Sequence, residues 1–335
     1  MVRQIGLGVL ALCTAIALAA PTSADVLSAT PSTVAGAVIY TAPPPAGAPA
    51  GVSPDVFYAE NSQTYYMITT ADPPRQYSSP DGVNWTPMSV TLPSGFDWSI
   101  VQEGPASYRL YFAEIISAGP GQAPPPPCTP GSKRLRYATS TDLQSWSVQP
   151  TIVVADVGCG VPHVMKTRDG RYFLYFNKRE PVHGVYVGTS SDGLNWTIGT
   201  SMVANDSQLV DPAPIEMPDG TFLMVGSTTG QGGYQELQLL SSTDALTWTK
   251  RPTDLYSPPG ASVLDPSVEL INGTLRVWFG YAPGGSHANS TIASGSVRLG
   301  NVKAVKGKKC TAKGAISAAL TCKSVKGTYK WAALT

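Results

Sequence analysis

The chain has 335 residues, of which 33 are glycine and 30 proline, with only 13% charged and a formal net charge of +1. This is enough for one large core or two modest domains. Residues 300–335 carry eight lysines and no acid, whereas residues 25–299 hold 14 Lys and Arg against 22 Asp and Glu, and so acidic a body argues against nucleic-acid binding.

In chain order, the first segment, MVRQIGLGVLALCTAIALAAPTSA, has one arginine, an apolar stretch and small residues before Asp25. It reads as a secretory signal over residues 1–24, cleaved after Ala24. Its apolar run is short for a bilayer and no later segment is long enough to span one. The mature protein is therefore expected to be extracellular and not inserted in a membrane. Cys13 leaves with the signal, and Cys128, Cys159, Cys310 and Cys322 remain. An even count in an exported chain favours two disulfides, and the lack of CxxC spacing argues against zinc.

A repeat fills most of residues 25–299. Its unit is a residue followed by proline, a short apolar strand, a turn, an aromatic strand, a loop, then a Ser/Thr-Asp strand and a tryptophan. Copies begin at Ser53-Pro54, Gly104-Pro105, Val161-Pro162, Asp211-Pro212 and Asp265-Pro266, at intervals of 51, 57, 50 and 54 residues. Four copies carry the later element, ending at Trp85, Trp146, Trp196 and Trp248. The turns Arg168-Asp169-Gly170, Pro218-Asp219-Gly220 and Ile271-Asn272-Gly273 predict hairpins of type I′. Repeats of this length with about four strands each predict an all-β fold, a five-bladed β-propeller of four-stranded antiparallel blades, in preference to a β-sandwich pair. The fifth copy lacks its Trp strand, so residues 36–41 (GAVIYT) are expected to close the ring. The tryptophans read as packing between blades, and the aspartates of the S-x-D turns as caps on backbone N–H groups.

The inner strands should start at the channel mouth, where the loops 71–76, 117–132, 177–183, 228–234 and 282–289 also emerge. A Cys128–Cys159 disulfide should pin the proline-rich loop there. Cys310 and Cys322 should bridge a small β-hairpin in a C-terminal module, residues 300–335, whose lysines could attach to an anionic cell wall. Asp55, Glu103, Asp211 and Asp265 could ring one pocket with His163, and carboxylates so crowded cannot all ionise. One then holds a proton, which is the division of labour that glycoside hydrolysis asks for. His183 and His287, with Arg75 and Lys178, lie on or beside mouth loops as candidate substrate contacts. For either Asp-Pro, a plain strand or turn cap is a serious competing reading.

The D-P-[AS] pairs, the Glu-Gly-Pro at 103–105 and the S-x-D-G-x-x-W strands resemble the family-43 glycoside hydrolases and the related families 32 and 62, over roughly residues 36–299. The resemblance implies a secreted hydrolase acting on arabinose-, xylose- or fructose-containing glycans, with an Asp base, a tuning Asp and a Glu acid. Carried over, Glu103 is the acid and Asp265 and Asp211 are the Asp-Pro carboxylates. Ser53 stands where the family places its base. A rotated set with Asp265 as base and Asp55 as tuning acid is one resolution, and a non-catalytic glycan- or cell-wall-binding propeller is the other. The implied chemistry, inversion at the anomeric carbon, requires no cofactor. A structural Ca²⁺ in the channel, with His163 as a ligand, is compatible with it.

Overall fold

Each repeat folds as a four-stranded antiparallel sheet because short apolar and aromatic runs, near-continuously buried in the second strands, are separated by tight turns. The structure, a computed structural model, describes residues 37–299 with short breaks, the longest at 117–125, and the backbone of three strands between residues 316 and 333. Blades 1 to 5 have the inner strands Val52–Ala59, Phe96–Gly104, Gly160–Lys166, Leu209–Glu216 and Ala261–Ile271. These touch one another in cyclic order, so the sheets form a closed five-bladed wheel. The strand Val38–Thr41 pairs with Thr291–Arg298 as the outer strand of blade 5, so the N-terminal side of the chain closes the ring. The C-terminal module shows a three-stranded antiparallel sheet rather than a bare hairpin, and the expected Cys310–Cys322 bond lies outside the described residues.

The core is divided among the five seams between blades, each filled by its own apolar cluster. Tyr111, Tyr175 and Trp278, all from second strands, are fully buried there. The S-x-D turns latch these seams. In the turn at Asp192, Oδ1 accepts the N–H groups of Leu194 and Asn195, each at 2.8 Å, and Ser190 Oγ accepts that of Gly193 at 2.9 Å. Asp81, Asp142 and Asp244 repeat the pattern. The turn then offers a carbonyl to the neighbouring blade: Trp278 Nε1 donates to Gly82, Tyr111 Oη to Gly193 and Tyr175 Oη to Ala245. The hairpin turns differ from the type I′ expectation. Only Gly170 and Gly220 have positive φ, +87° and +83°, and each donates to the residue three before it, which is a type I turn followed by a glycine bulge. The turn 271–273 lies partly outside the described residues.

Replacing Tyr175 with Phe deletes the shorter of two hydrogen bonds to the Ala245 carbonyl, which keeps only the Trp248 indole N–H at 3.3 Å. Urea denaturation should show a loss of about 0.5–1.5 kcal/mol with an unchanged m-value; a loss below about 0.3 kcal/mol would remove the latch from the account.

Candidate functional site at the channel mouth

Five residues occupy one backbone position, near the start of each inner strand, and all are left-handed without being glycine. They are Ser53, Asp97, Val161, Asp211 and Asp265, with φ of 46°, 51°, 49°, 52° and 49°. At each the pairing register slips by one residue, so this is a β-bulge repeated around the wheel. Proline follows in four of the five, where its missing N–H costs nothing because the bulge has no ladder bond to offer. A β-branched residue such as Val161 has a steep penalty in this conformation. What retains it is an N–H bond across the seam. In every blade the N–H of the bulge residue donates to a side chain of the preceding blade: Ser53 to Asp265 Oδ2 (3.2 Å), Asp97 to Thr70 Oγ1 (2.9 Å), Val161 to Asp97 Oδ2 (3.0 Å), Asp211 to Asn177 Oδ1 (3.3 Å) and Asp265 to Ser227 Oγ (3.1 Å).

The bulges bring three carboxylates together. Ser53 Oγ contacts Asp97 Oδ1 at 3.1 Å and Asp265 Oδ2 at 2.9 Å, and Asp265 shares a hydrogen bond with Asp211. Asn177 Nδ2 and Gln235 Nε2 donate to the two oxygens of Asp211 at 3.1 and 3.3 Å. Burial raises all three carboxyls above the usual range. For Asp265 the next cause is the adjacent Asp211, and for Asp97 it is Asp265. Two carboxyls in direct contact cannot both ionise, so a proton lies in the Asp211–Asp265 pair. Ser53, Asp97, Val161, Asp265 and the prolines between them line a small pocket of about 280 Å³, mouth included, with Asp55 and His163 on its wall.

The sequence-predicted residues divide accordingly. Asp211 and Asp265 meet as expected. Asp55 lies two residues beyond the bulge, where its Oδ2 accepts the Ile100 N–H of the next blade at 2.7 Å. Ser99 and Ser267 make the same cross-seam bond in blades 2 and 5, so this position is partly a structural bolt. His163 faces the channel, and burial lowers its pKa to about 4, which keeps it neutral. His287 is exposed and close enough to Asp265 to stabilise its anion. Arg75 is exposed at the start of its strand, while His183 bonds the Ser207 carbonyl at 2.7 Å and Lys178 stacks over Tyr186 at 5.3 Å. The Cys128–Cys159 disulfide is present beside the mouth.

Glu103 is a correction. The Gly104-Pro105 pair forms the turn between the first two strands of blade 2, with Gly104 paired to Ser107, and is not a bulge. Glu103 therefore lies at the end of its strand remote from the mouth, bound to Lys166 at 2.7 Å, Arg109 at 3.3 Å and the Tyr172 hydroxyl. The true bulge of blade 2 is Asp97-Trp98, 44 residues after Ser53 and 64 before Val161. Asp97 lacks the proline that marks the other four bulges, and Asn177 and Gln235 carry no repeat signal at all. The channel offers little to a metal ion: among the described residues no three His, Cys, Asp or Glu side chains come together as ligands, and His163 is a lone imidazole.

No family model and no curated protein matches the chain. Solved structures match its fold. An α-L-arabinanase of Cellvibrio cellulosa, complexed with arabinohexaose, is 11% identical with a TM-score of 0.55, over 74% of this chain and 91% of that one. A family-43 glycoside hydrolase of Bacillus licheniformis is 13% identical with a TM-score of 0.57, over 76% and 54%. An N-acetylgalactosamine deacetylase of F. plautii is 15% identical with a TM-score of 0.53, over 78% and 92%. The chain thus has the five-bladed propeller fold found in family-43 glycoside hydrolases, a fold that also carries other sugar chemistry.

Asp55 makes the fold pH-sensitive. Burial raises its pKa from 3.8 to about 7, against the opposing Ile100 N–H bond. The folded state therefore binds this proton more tightly than the unfolded chain does. The stability so gained is complete below pH 3.8 and is lost as the pH rises through 7, about 4 kcal/mol in all. Asp55→Asn should flatten this slope, so that urea titrations at pH 5 and pH 8.5 differ less than in the wild type; an unaltered difference would contradict the assignment.

Proposed function

We propose that the protein is an exported glycoside hydrolase that cleaves O-glycosidic bonds in arabinose-, xylose- or fructose-type glycans at the channel mouth. The observation that carries this reading is the meeting of Asp97, Asp211 and Asp265. Three carboxylates from three blades, Asp97 and Asp211 buried and Asp265 half-buried, cost stability, and such clusters gather where proton transfer is needed. The fold of the arabinanase and the family-43 hydrolase supports the same class.

The Asp211–Asp265 pair supplies the proton for the leaving oxygen. Asp97, fixed by the Val161 N–H, is the anion that activates water. Asp97 and Asp211 come from blades 2 and 4, on either side of blade 3, whose bulge residue is Val161 rather than an acid; the reading requires them to stand the roughly 6.5–9.5 Å apart of an inverting pair. Asp97 and Asp265 both touch one hydroxyl and are too close for that role. Export is supported by the leader-like segment 1–24 and by the disulfide. The lysine-rich tail would attach the enzyme to an anionic wall.

One observation favours the competing reading, a propeller that binds glycan without cleaving it. Ser53 stands between two acids and could serve simply to satisfy them. Chromogenic arabinofuranosides, xylosides and fructans decide the matter. Asp97→Asn and Asp211→Asn keep the size of the side chain and should each cut kcat at least about 100-fold, while Glu103→Gln should leave it near wild type. Glycan binding without turnover in the wild type would establish the binding reading instead.

A further inference from the structure

Resting on that reading, we propose that Lys133 is a positioning residue: clamped by the backbone of Cys159, it holds Asp97 as the anion, and the Cys128–Cys159 disulfide makes this clamp conditional on oxidation. Lys133 opens the third strand of blade 2, directly after the loop that carries Cys128. Its ammonium donates to the Cys159 carbonyl and lies 5.0 Å from the centre of the Phe96 ring. Its own carbonyl accepts the Val157 N–H at 3.1 Å. The cation and Asp97 face each other across Gly160. A methyl group at Gly160 would lie 2.9 Å from Lys133 Nζ and 3.1 Å from Asp97 Oδ2, so a larger residue would wedge between them.

The peptide at Cys159 reaches the other carboxylate as well. Its N–H donates to the Asn177 carbonyl at 2.8 Å, and Asn177 Nδ2 donates to Asp211. A single disulfide-anchored residue therefore touches the partners of both ends of the carboxylate set. The charged groups facing Asp97 are Asp265 from blade 5, Asp211 from blade 4 and Lys133 from its own blade. The first two oppose its ionisation, and Lys133, with the Val161 N–H, favours it. Reduction by a dithiol transfers two electrons and two protons, leaves Cys128 and Cys159 as thiols and frees the segment 157–160 to shift. Lys133 then loses its fixed carbonyl.

The test compares wild type, Lys133→Met and Lys133→Arg, each with and without dithiothreitol. Two readouts are taken: the acidic limb of the kcat/KM pH profile, and the carboxyl ¹³C titration of Asp97, assigned by its loss in Asp97→Asn. Lys133→Met should move both upward by about one pH unit, and Lys133→Arg should restore them. Reduction should move the wild type in the same direction and leave Lys133→Met where it is. An Asp97 titration unmoved in Lys133→Met overturns the clamp. A reduction shift that persists in Lys133→Met, or is absent in the wild type, overturns its link to the disulfide. If the protein hydrolyses no glycan, the hydrolase reading falls while the titration still decides the clamp.

Discussion

The wheel depends on five backbone N–H groups. At each bulge the chain turns left-handed, and its N–H leaves the ladder of its own sheet to find an acceptor on the preceding blade. A left-handed non-glycine residue is disfavoured by about 1–2 kcal/mol, and an unpaired buried N–H would add to that. Closure of the ring supplies the acceptor in every blade. The strain and the closure are thus one device: each bulge is tolerable because its neighbour stands beside it.

That device also makes the chemistry. The bulge rotates one side chain per blade toward the axis, and the sequence places Asp there three times. Asp97 and Asp265 spend one oxygen each on the ring as acceptors for Val161 and Ser53. Asp211 accepts no bulge N–H in the ring and is held by Asn177 and Gln235. Had these acids been required only to cap N–H groups, Thr70, Asn177 and Ser227 show that neutral side chains suffice. The surplus of negative charge, buried and partly protonated, is what distinguishes this mouth from a plain propeller axis.

Much of the architecture was legible in the chain. The blade count, the closing strand, the Cys128–Cys159 bond and the capping aspartates all follow from repetition and position, which are local signals. The phase of blade 2 was not. A proline after a bulge and a proline in a hairpin turn look alike in sequence, and only pairing distinguishes Pro54 from Pro105. The proline pattern therefore makes Glu103 axial and misses Asp97, which is followed by Trp98. The side chains that hold the acids, Asn177, Gln235 and Lys133, come from second and third strands. Their part depends on contacts between distant strands, which no periodicity announces.

A wheel that closes by handing each strained N–H to the preceding blade leaves three acids more confined than their charges allow, so at least one must carry a hydrogen at neutrality. Neutron diffraction from crystals at pH 7 sees that atom directly. A deuteron on the Asp211–Asp265 pair, with Asp97 bare, is the expected result; three bare carboxylates, or any of the three swung out into bulk water, would contradict it.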